Sequence, residues 1–414
     1  MRRLLRFLHI STFYPPWSFG GDAMYIHRLS HALADEGHEV DVLHCRDAYH
    51  LLHPGDPPES FPTHPGVRVH DLATPVGRLA PFIAHQTGRP LFKRARIARL
   101  AAERRPDVVH FHNISLLGPS VLDLEVPGLH PLKLYTAHEH WLVCPTHVLW
   151  KFQREVCTAP QCLACTLHAR RPPQLWRATG LLERASRHVH RFLAPSRFVV
   201  RSHAERGFAP TMTPLPLFVD TPSDSFSASP HPRPYVLFVG RLEAIKGLQT
   251  VIPIWDRVGD LDLLVAGSGD HEATLRELAA ANPRIRFLGH VPQRELPALY
   301  RHALATVVPS LTYETFGIIV IESLSHGTPV VVRDLGSLPE LVGESGAGAV
   351  YRTDDELVRA IRELAARPDQ RQALGERGRA AFEERWSRRA HLRQYHALLD
   401  ETAVSAFGRV PWES

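Results

Sequence analysis

Two cations flank a turn that follows an apolar run in the second half of the sequence. The run YVLFV is followed by Gly240, Arg241, Lys246 and Gly247. A guanidinium, an ammonium and backbone N–H groups together at a strand end can neutralise a diphosphate without a metal ion. Lysine occurs at only four positions in the chain, which favours a specific role for Lys246. Taken alone, the motif is also compatible with a solvated helix start.

Two glutamates bracket a second glycine turn, which follows the apolar run ATVV. Glu314 precedes Phe316 and Gly317, and Glu322 lies eight residues after Glu314. Gly317 stands where a helix would begin, so the N–H groups after it can hold phosphate oxygens. Eight residues span about two helical turns, so the two carboxylates can bond hydroxyl groups of one ligand, one toward a sugar and one toward a ribose.

Two patterns are candidates for metal binding. Asp260 and Asp262 form an Asp-x-Asp pair, but they precede an apolar strand, which places them at the end of the sheet away from a ligand. Four thiols crowd into a second segment and predict either a structural zinc or iron–sulfur site or a set of free buried thiols. These cysteines are Cys144, Cys157, Cys162 and Cys165.

Short apolar runs alternate with helix-length segments through both halves of the chain. This alternation predicts βαβ units and two doubly wound parallel sheets in an α/β protein. Residues 22–36 form the clearest helix, because Ile26, Leu29 and Leu33 share one face and Gly37 can cap its end. The proline-rich segment 221–234 is interpreted as a linker. The predicted strands are 4–10, 40–43, 67–72, 108–111, 132–136 and 192–194 before the linker, and 236–239, 261–266, 285–288, 305–308 and 330–332 after it.

The composition indicates a globular enzyme. The chain has 414 residues, of which 44% are apolar and 22% charged, enough for two domains with separate cores. The net charge of +5 rests almost wholly on arginine, which we attribute to genomic composition, so no nucleic-acid partner is predicted. Five cysteines, an odd number, and no apolar run of membrane-spanning length favour the cytoplasm.

One segment has the composition of a membrane-surface helix. Residues 88–105 carry seven cations and one acid around Phe92, Ile97 and Leu100. This pattern predicts either a solvated helix face or a helix that lies on the anionic inner face of a membrane.

Together, the motifs resemble those of the retaining nucleotide-sugar glycosyltransferases of family 4 (glycosyltransferase group 1 type). The resemblance is carried by GR-x4-KG, which is followed by E-x7-E with an internal FG. The paired glycines Gly20 and Gly21, residues 107–113 (DVVHFHN), residues 135–139 (YTAHE) and the closing segment EERWSRRAHLRQYHALL resemble the rest of the family pattern. The chain departs from that pattern at Glu139, where the family has aspartate, and at residues 216–220, which replace Asn-Gly-Val-Asp.

The resemblance implies the GT-B fold, in which two Rossmann-like domains face a deep cleft. It implies an acceptor-binding domain at 1–225, a linker at 221–234, a nucleotide-sugar domain at 235–387 and a closing helix at about 388–414 that packs back on the first domain. It further implies four catalytic residues that also contact the donor, namely His138, Glu314, Arg241 and Lys246. The donor would also contact Gly20, Gly21, Phe316 and Gly317 through the backbone, and Glu322 through its ribose.

The implied reaction moves a sugar from a nucleoside diphosphate to an acceptor hydroxyl, with retention and without a catalytic cofactor. The acceptor is a glycan, a lipid-linked sugar or a small molecule, and the enzyme would be cytoplasmic or peripheral to the inner membrane face. The leaving phosphate itself would accept the proton of the acceptor, because no second acid is placed to act as a nucleophile. The alternatives are a phosphorylase, an epimerase and a catalytically silent subunit that binds sugar nucleotides. A phosphorylase would need a further lysine for pyridoxal phosphate, and the second half has none besides Lys246.

Overall fold

A computed structural model describes residues 3–57, 61–222 and 228–413, which form two compact units. The first unit comprises Met1–Val148, Ala159–Leu215 and Leu392–Ser414, and the second comprises Leu149–Thr158 and Pro216–His391. Each unit is built on one parallel sheet with helices packed against it, which confirms the predicted pair of doubly wound α/β domains. Residues 223–227 of the predicted linker lie outside the described residues.

The first unit contains a seven-stranded parallel sheet. The strands before residue 215 are β1 (Arg6–Ile10), β2 (Glu39–His44), β3 (Val67–Asp71), β4 (Val108–Phe111), β5 (Leu132–Thr136), β6 (Trp150–Lys151), β7 (Glu155–Val156), β8 (Arg191–Ala194) and β9 (Met212–Pro214). All of them belong to this sheet except β6 and β7, which form a short hairpin that groups with the second unit. The sheet order is β3-β2-β1-β4-β5-β8-β9. The winding therefore reverses between β1 and β4, and the carboxyl ends of β1, β4 and β5 are neighbours at the edge where such folds bind ligands.

The helices of the first unit connect these strands. The helix predicted at 22–36 is confirmed as the first of them, with Ile26, Leu29 and Leu33 fully buried. Gly37 follows the helix with φ +88°, in the left-handed conformation that commonly ends an α-helix, and its N–H donates to the carbonyl of Ala34. The helices are α1 (Gly21–Asp35), α2 (Arg46–Leu52), α3 (Leu79–Thr87), α4 (Arg94–Arg104), α5 (Cys162–His168), α6 (Leu181–Ser186) and α7 (Arg197–Glu205), with 3-10 turns at Pro119–Asp123 and Leu175–Thr179.

The second unit contains a six-stranded parallel sheet in the order β12-β11-β10-β13-β14-β15. Its strands are β10 (Tyr235–Val239), β11 (Asp262–Ala266), β12 (Ile285–Gly289), β13 (Ala305–Val308), β14 (Val330–Arg333) and β15 (Gly348–Tyr351). Its helices are α8 (Leu248–Val251), α9 (Glu272–Ala279), α10 (Leu296–His302), α11 (Ile318–Ser325), α12 (Leu338–Ser345), α13 (Asp354–Ala366) and α14 (Pro368–Arg385), with 3-10 turns at Ala244–Lys246 and Ile252–Val258.

The last helix, α15 (Arg388–Phe407), begins in the second unit and ends in the first. Its Tyr395 is fully buried, and the hydroxyl lies 3.0 Å from Nδ1 of His110 in β4. Further along, Nε2 of His396 lies 2.7 Å from the carboxylate of Glu36, just after α1. Within the described residues, every helix is too short or too polar to cross a bilayer.

Every strand predicted from the apolar runs is present, but the edge strands β9 and β15 and the hairpin were not predicted. Strand β9 is only three residues long and ends in Pro214, and β15 begins with Gly348. Proline and glycine are tolerated at a sheet edge, where one side needs no hydrogen-bonded neighbour. Such strands therefore carry little of the apolar signal that marks the central ones.

Candidate active site

The loop after β10 places Lys246 at the carboxyl edge of the second sheet. Lys246 closes a 3-10 turn, and the next residue, Gly247, has φ +77°. A Cβ at Gly247 would collide with the carbonyl oxygen of Pro309, so this position requires glycine. The N–H of Leu311 donates to the carbonyl of Ile245 at 2.8 Å. The loop is thereby fastened to the segment that follows β13.

Lys246 and Glu314 meet at this edge as an ion pair. The Lys246 Nζ lies 2.7 Å from Oε1 of Glu314, and the Ser310 hydroxyl donates to the same oxygen at 2.6 Å. Burial alone would raise the pKa of Glu314, but the charge and hydrogen bond of Lys246 outweigh it and lower that pKa. Glu314 is therefore a carboxylate at neutral pH, suited to accepting hydrogen bonds from hydroxyl groups.

Arg241 is held less firmly than Lys246. Its guanidinium lies 2.7 Å from Glu243, and its side chain is 59% exposed. Its positive charge still contributes to the lowered pKa of Glu314, after Lys246 and Ser310. The structure therefore brings both predicted cations to the neighbourhood of Glu314, with Lys246 in direct contact.

Hydrogen bonds from Ser337 hold the glycine turn before α11 in place. Gly317 has φ +111°, and a Cβ there would lie 2.9 Å from Leu338. The Ser337 hydroxyl contacts the carbonyl of Glu314 at 2.9 Å and that of Phe316 at 2.7 Å. Phe316 is buried, and the first N–H groups of α11 have no acceptor within the helix. They are available to an anion.

Ser337 is a residue that sequence reasoning missed. It occupies the position before α12 where a serine usually caps its own helix, yet its side chain makes no such capping bond. A Ser-Leu-Pro sequence indicates only the start of a helix. The hydrogen bonds of the Ser337 hydroxyl to the turn before α11 could therefore not be inferred from it.

The second glutamate of the motif has a different partner. Glu322, on α11, accepts a hydrogen bond of 3.0 Å from the hydroxyl of Tyr300, on α10. It is partly buried. Glu314 and Glu322 thus have separate surroundings.

In the first unit, the paired glycines begin α1. Gly20 precedes the helix, Gly21 is its first residue, and both are exposed. Gly20 has φ −154°, an extended conformation open to any residue, and an added Cβ would approach only the side chain of Asp22. Glycine is therefore not required there by the backbone conformation.

His138 lies just past the carboxyl end of β5. It is 9% exposed, and its Nε2 lies 3.0 Å from Nδ1 of His112. Burial lowers the pKa of His138 to about 4, although the charge of Asp22 opposes the shift. Its ring is therefore neutral at pH 7 and acts through hydrogen bonds.

The two metal patterns have different outcomes. Asp262 lies at the start of β11, at the amino edge of the sheet, and both Asp260 and Asp262 are paired with Arg233. The sulfurs of Cys144, Cys157, Cys162 and Cys165, all in the described part of the chain, include no three within 4.8 Å of one another, and the structural metal site stays a prediction. A tetrahedral zinc site needs sulfurs about 3.8 Å apart.

The cysteines have different individual surroundings. The Cys144 thiol lies 3.3 Å from the Thr146 hydroxyl, while Cys162 is exposed at the start of α5. Cys157 follows the hairpin that groups with the second unit, whereas Cys144 belongs to the first. Spacing along the chain could not reveal that the segment is divided in this way.

The two Rossmann-like units place the protein in the GT-B fold class. The model of the family "Glycosyltransferase Family 4" matches residues 19–222, and that of "Glycosyl transferases group 1" matches residues 221–381. The chain belongs to the group 1 glycosyltransferases of family 4 and is a glycosyltransferase.

Named relatives agree with this assignment. Glycogen synthase of Mycobacterium tuberculosis is 29% identical over 92% of both chains. Sucrose-phosphate synthase of Thermosynechococcus elongatus superposes with a TM-score of 0.75 at 21% identity, covering 97% of this chain and all of that one. HepE of Anabaena, solved in complex with UDP-glucose, superposes with a TM-score of 0.65 at 17% identity, covering 96% of this chain and all of that one.

Proposed function

We propose that the enzyme transfers a sugar from a nucleoside diphosphate sugar to an acceptor hydroxyl with retention of anomeric configuration. The observation that carries this proposal is the contact of Lys246 with Glu314 beside the start of α11. It puts an ammonium, a carboxylate and unpaired helix N–H groups at one sheet edge. A sugar nucleotide needs all three, because it has a diphosphate and a ring of hydroxyl groups. The relative solved with UDP-glucose supports the same donor class.

Each group has a separate task in this proposal. Lys246 and Arg241 hold the diphosphate, and the N–H groups at Phe316 and Gly317 bind its oxygens. Glu314 accepts hydrogen bonds from sugar hydroxyls, and Glu322 binds the ribose. Gly20 and Gly21 let the backbone of the first unit approach the donor, and His138 hydrogen-bonds the sugar.

The rate enhancement then comes from charge that develops on the leaving group. As the bond between sugar and phosphate breaks, the nucleoside diphosphate gains negative charge while the sugar becomes oxocarbenium-like. Fixed cations and helix N–H groups stabilise that charge more in the transition state than in the ground state. These protein groups supply the positive charge, so the proposed reaction is metal-independent.

We propose that retention arises by front-face displacement, and the surroundings of Glu314 support a role for this carboxylate other than that of a nucleophile. Its Oε1 already accepts hydrogen bonds from Lys246 and Ser310, which hold it as a hydroxyl acceptor and weaken it as a nucleophile. In the proposed reaction the acceptor oxygen attacks from the face that the phosphate leaves. The departing phosphate oxygen takes the proton of the acceptor hydroxyl, so the transfer balances without a protein base.

The test is transfer from a panel of nucleotide sugars to sugar and lipid-linked acceptors, with product mass and anomeric configuration read by mass spectrometry and NMR. We expect transfer with retention that persists after treatment with a chelator. Inversion would refute the proposed stereochemistry, and loss of activity on chelation would refute metal independence. Binding of a donor without turnover would refute transfer itself.

We further propose that the enzyme works in the cytoplasm at the surface of an anionic membrane. In the first unit, Leu79 and Phe82 of α3 and Leu91 and Phe92 before α4 are 41–59% exposed. Such apolar side chains beside a basic helix can enter a lipid headgroup layer. Several cations of α4 already form ion pairs within the protein, such as Arg94 with Asp123, and are less free to attract anionic lipids. The proposal therefore rests mainly on the exposed apolar side chains.

A further inference from the structure

The loop between β14 and α12 lies directly against the backbone of the turn that precedes α11. Gly336, in this loop, has φ +66°, and an added Cβ there would lie 2.8 Å from the backbone nitrogen of Glu314 and 2.9 Å from its carbonyl oxygen. The next residue, Ser337, is fully buried, and its N–H donates to the carbonyl of Glu314 at 3.2 Å. Position 336 therefore requires glycine, because a side chain would push the two backbones apart.

The hydroxyl of Ser337 makes a second connection to the same turn. Its oxygen lies 2.9 Å from the carbonyl oxygen of Glu314 and 2.7 Å from that of Phe316. A serine hydroxyl has one proton to donate. The carbonyl of Glu314 already receives the N–H of Ser337, so the hydroxyl proton is needed at the shorter contact, the one with Phe316. Ser337 therefore holds two peptide groups of the turn.

The bond to Phe316 sets the direction of the next amide. A trans peptide is planar, so its C=O and the N–H that follows point in opposite directions. Because the carbonyl of Phe316 points to Ser337, the N–H of Gly317 points away from Ser337. Gly317 is partly exposed, and its N–H has no protein acceptor among the described residues. An amide in that state can bind an oxygen of an anionic ligand.

The first turn of α12 supports Gly317 from the side. At Gly317, which has φ +111°, an added Cβ would lie 2.9 Å from the side chain of Leu338 and 3.2 Å from that of Leu341. Leu338 is fully buried and directly follows Ser337. Rotation of the peptide between Phe316 and Gly317 would have to break the bond to Ser337, so the amide is fixed before any ligand arrives.

An ordinary helix cap is the competing interpretation of Ser337. A capping serine accepts a hydrogen bond from an N–H two or three residues further along its own helix. The side chain of Ser337 makes no such bond with α12. Its hydroxyl donates instead to a segment about 20 residues earlier in the chain, so its contribution is to the turn before α11.

We propose that Ser337 is a positioning residue that aims the N–H of Gly317 at an oxygen of the diphosphate in the sugar nucleotide. The inference rests on the function proposed above, in which this amide binds the leaving group. Negative charge grows on the phosphate oxygens as the bond to the sugar breaks, and a donor fixed in advance stabilises that charge without reorganisation. Ser337 acts through Gly317 and does not itself contact the substrate.

The direct test is the NMR amide signal of Gly317 in the full-length protein. The chain has three Phe-Gly pairs, at residues 19–20, 316–317 and 407–408. Labelling phenylalanine with 13C at its carbonyl and glycine with 15N therefore reduces the spectrum to three signals, and the other two are identified by their loss in Phe19→Leu and in Phe407→Leu. We expect inorganic pyrophosphate to move the Gly317 proton signal downfield. An unmoved Gly317 signal in the wild-type protein would overturn the proposal.

A pair of matched variants tests the role of the hydroxyl. In Ser337→Ala we expect the response of Gly317 to pyrophosphate to be lost and kcat/KM for the donor to fall about 10- to 100-fold, as when a reacting group is misplaced by about 1 Å, with the KM for the acceptor unchanged. Ser345→Ala removes a buried hydroxyl whose contacts, with Val342 and Ala347, lie at the other end of α12. It should leave both the signal and the turnover unchanged. A wild-type response in Ser337→Ala, or an equal loss in both variants, would overturn the assignment.

The two readouts also separate this inference from the proposed function. If pyrophosphate moves the Gly317 signal in the wild type but not in Ser337→Ala, and no sugar is transferred, the proposed reaction fails and the positioning role stands. If Ser337→Ala transfers sugar as the wild type does, the positioning role fails and the reaction stands. Should Ser337→Ala not fold, Ser337→Cys, whose thiol is a weaker donor, takes its place with the same expected losses.

Discussion

Lys246→Met would remove one positive charge from the sheet edge while keeping a side chain of similar length. The structure separates two consequences of this change, one on the stability of the second unit and one on sugar transfer. Nζ of Lys246 lies 2.7 Å from Glu314, and the two side chains are 28% and 18% exposed. The Ser310 hydroxyl would still hold the same carboxylate oxygen.

The effect on transfer should exceed the effect on stability. A partly exposed ion pair contributes about 1 kcal/mol or less to the free energy of unfolding. Loss of a charged group aimed at a leaving group typically costs about 100- to 1,000-fold in rate, or about 2.7–4 kcal/mol. We therefore expect kcat/KM to fall by about two to three orders of magnitude while the fold is retained.

The pH dependence of stability provides an internal check. Burial would raise the pKa of Glu314, but Lys246 lowers it in the folded state. The stabilisation from this pair is therefore fully present above the unfolded pKa, about 4.3, and is lost as the pH falls through the lower folded value. The difference in unfolding free energy between wild type and Lys246→Met should close in that acidic range.

The assay is the initial rate with the donor found in the panel, together with urea unfolding from pH 7 to pH 3. Arg257→Met is the matched control, because Arg257 pairs with Asp355 on the surface of the same unit. It should leave transfer unchanged. Wild-type turnover by Lys246→Met, or an equal loss in both variants, would refute the phosphate-binding role.

Three further predictions concern the rest of the molecule. Gly247→Ala should lower the free energy of unfolding by about 1–3 kcal/mol, because φ at this position is +77° and an added Cβ would collide with the carbonyl oxygen of Pro309. Gly343→Ala, in α12 with open space around it, should raise the free energy of unfolding by about 0.5–1 kcal/mol. Urea unfolding measures both changes. Phe92→Ser should weaken sedimentation of the protein with vesicles of equal phosphatidylglycerol and phosphatidylcholine relative to Arg99→Ser, and equal binding would contradict the apolar contact. Elemental analysis of freshly purified protein tests the structural metal site predicted at the four cysteines: about one zinc per chain, or iron with acid-labile sulfide, would support it, and the absence of both metals would contradict it.

The sequence was sufficient for the strands that carry the candidate site. Central strands such as β10 and β13 are apolar over their whole length, so their ends and the polar residues after them could be located. Because parallel strand ends share one edge, Lys246 and Glu314 could be expected near each other. Their direct ion pair depends on the bond between Leu311 and Ile245, which no local pattern encodes.

The residues that sequence reasoning missed make contacts across long separations. Nδ1 of His9 lies 2.9 Å from Nε2 of His112, but the two residues are 103 residues apart in the chain, and no local sequence pattern links the two. Their contact depends on the sheet order, which places β1 beside β4. The structural metal site at the cysteines stays a prediction for elemental analysis to test, since among the described residues no three of their sulfurs lie within 4.8 Å of one another.

The division of the first unit between the two ends of the chain constrains how the protein is made. Residues that complete it, including Tyr395, are translated after the whole of the second unit. Until they emerge from the ribosome, His110 lacks its tyrosine partner and the nascent first unit has an uncovered face. A chain interrupted before α15 would therefore be a substrate for chaperones and proteases, even though both sheets had already been synthesised.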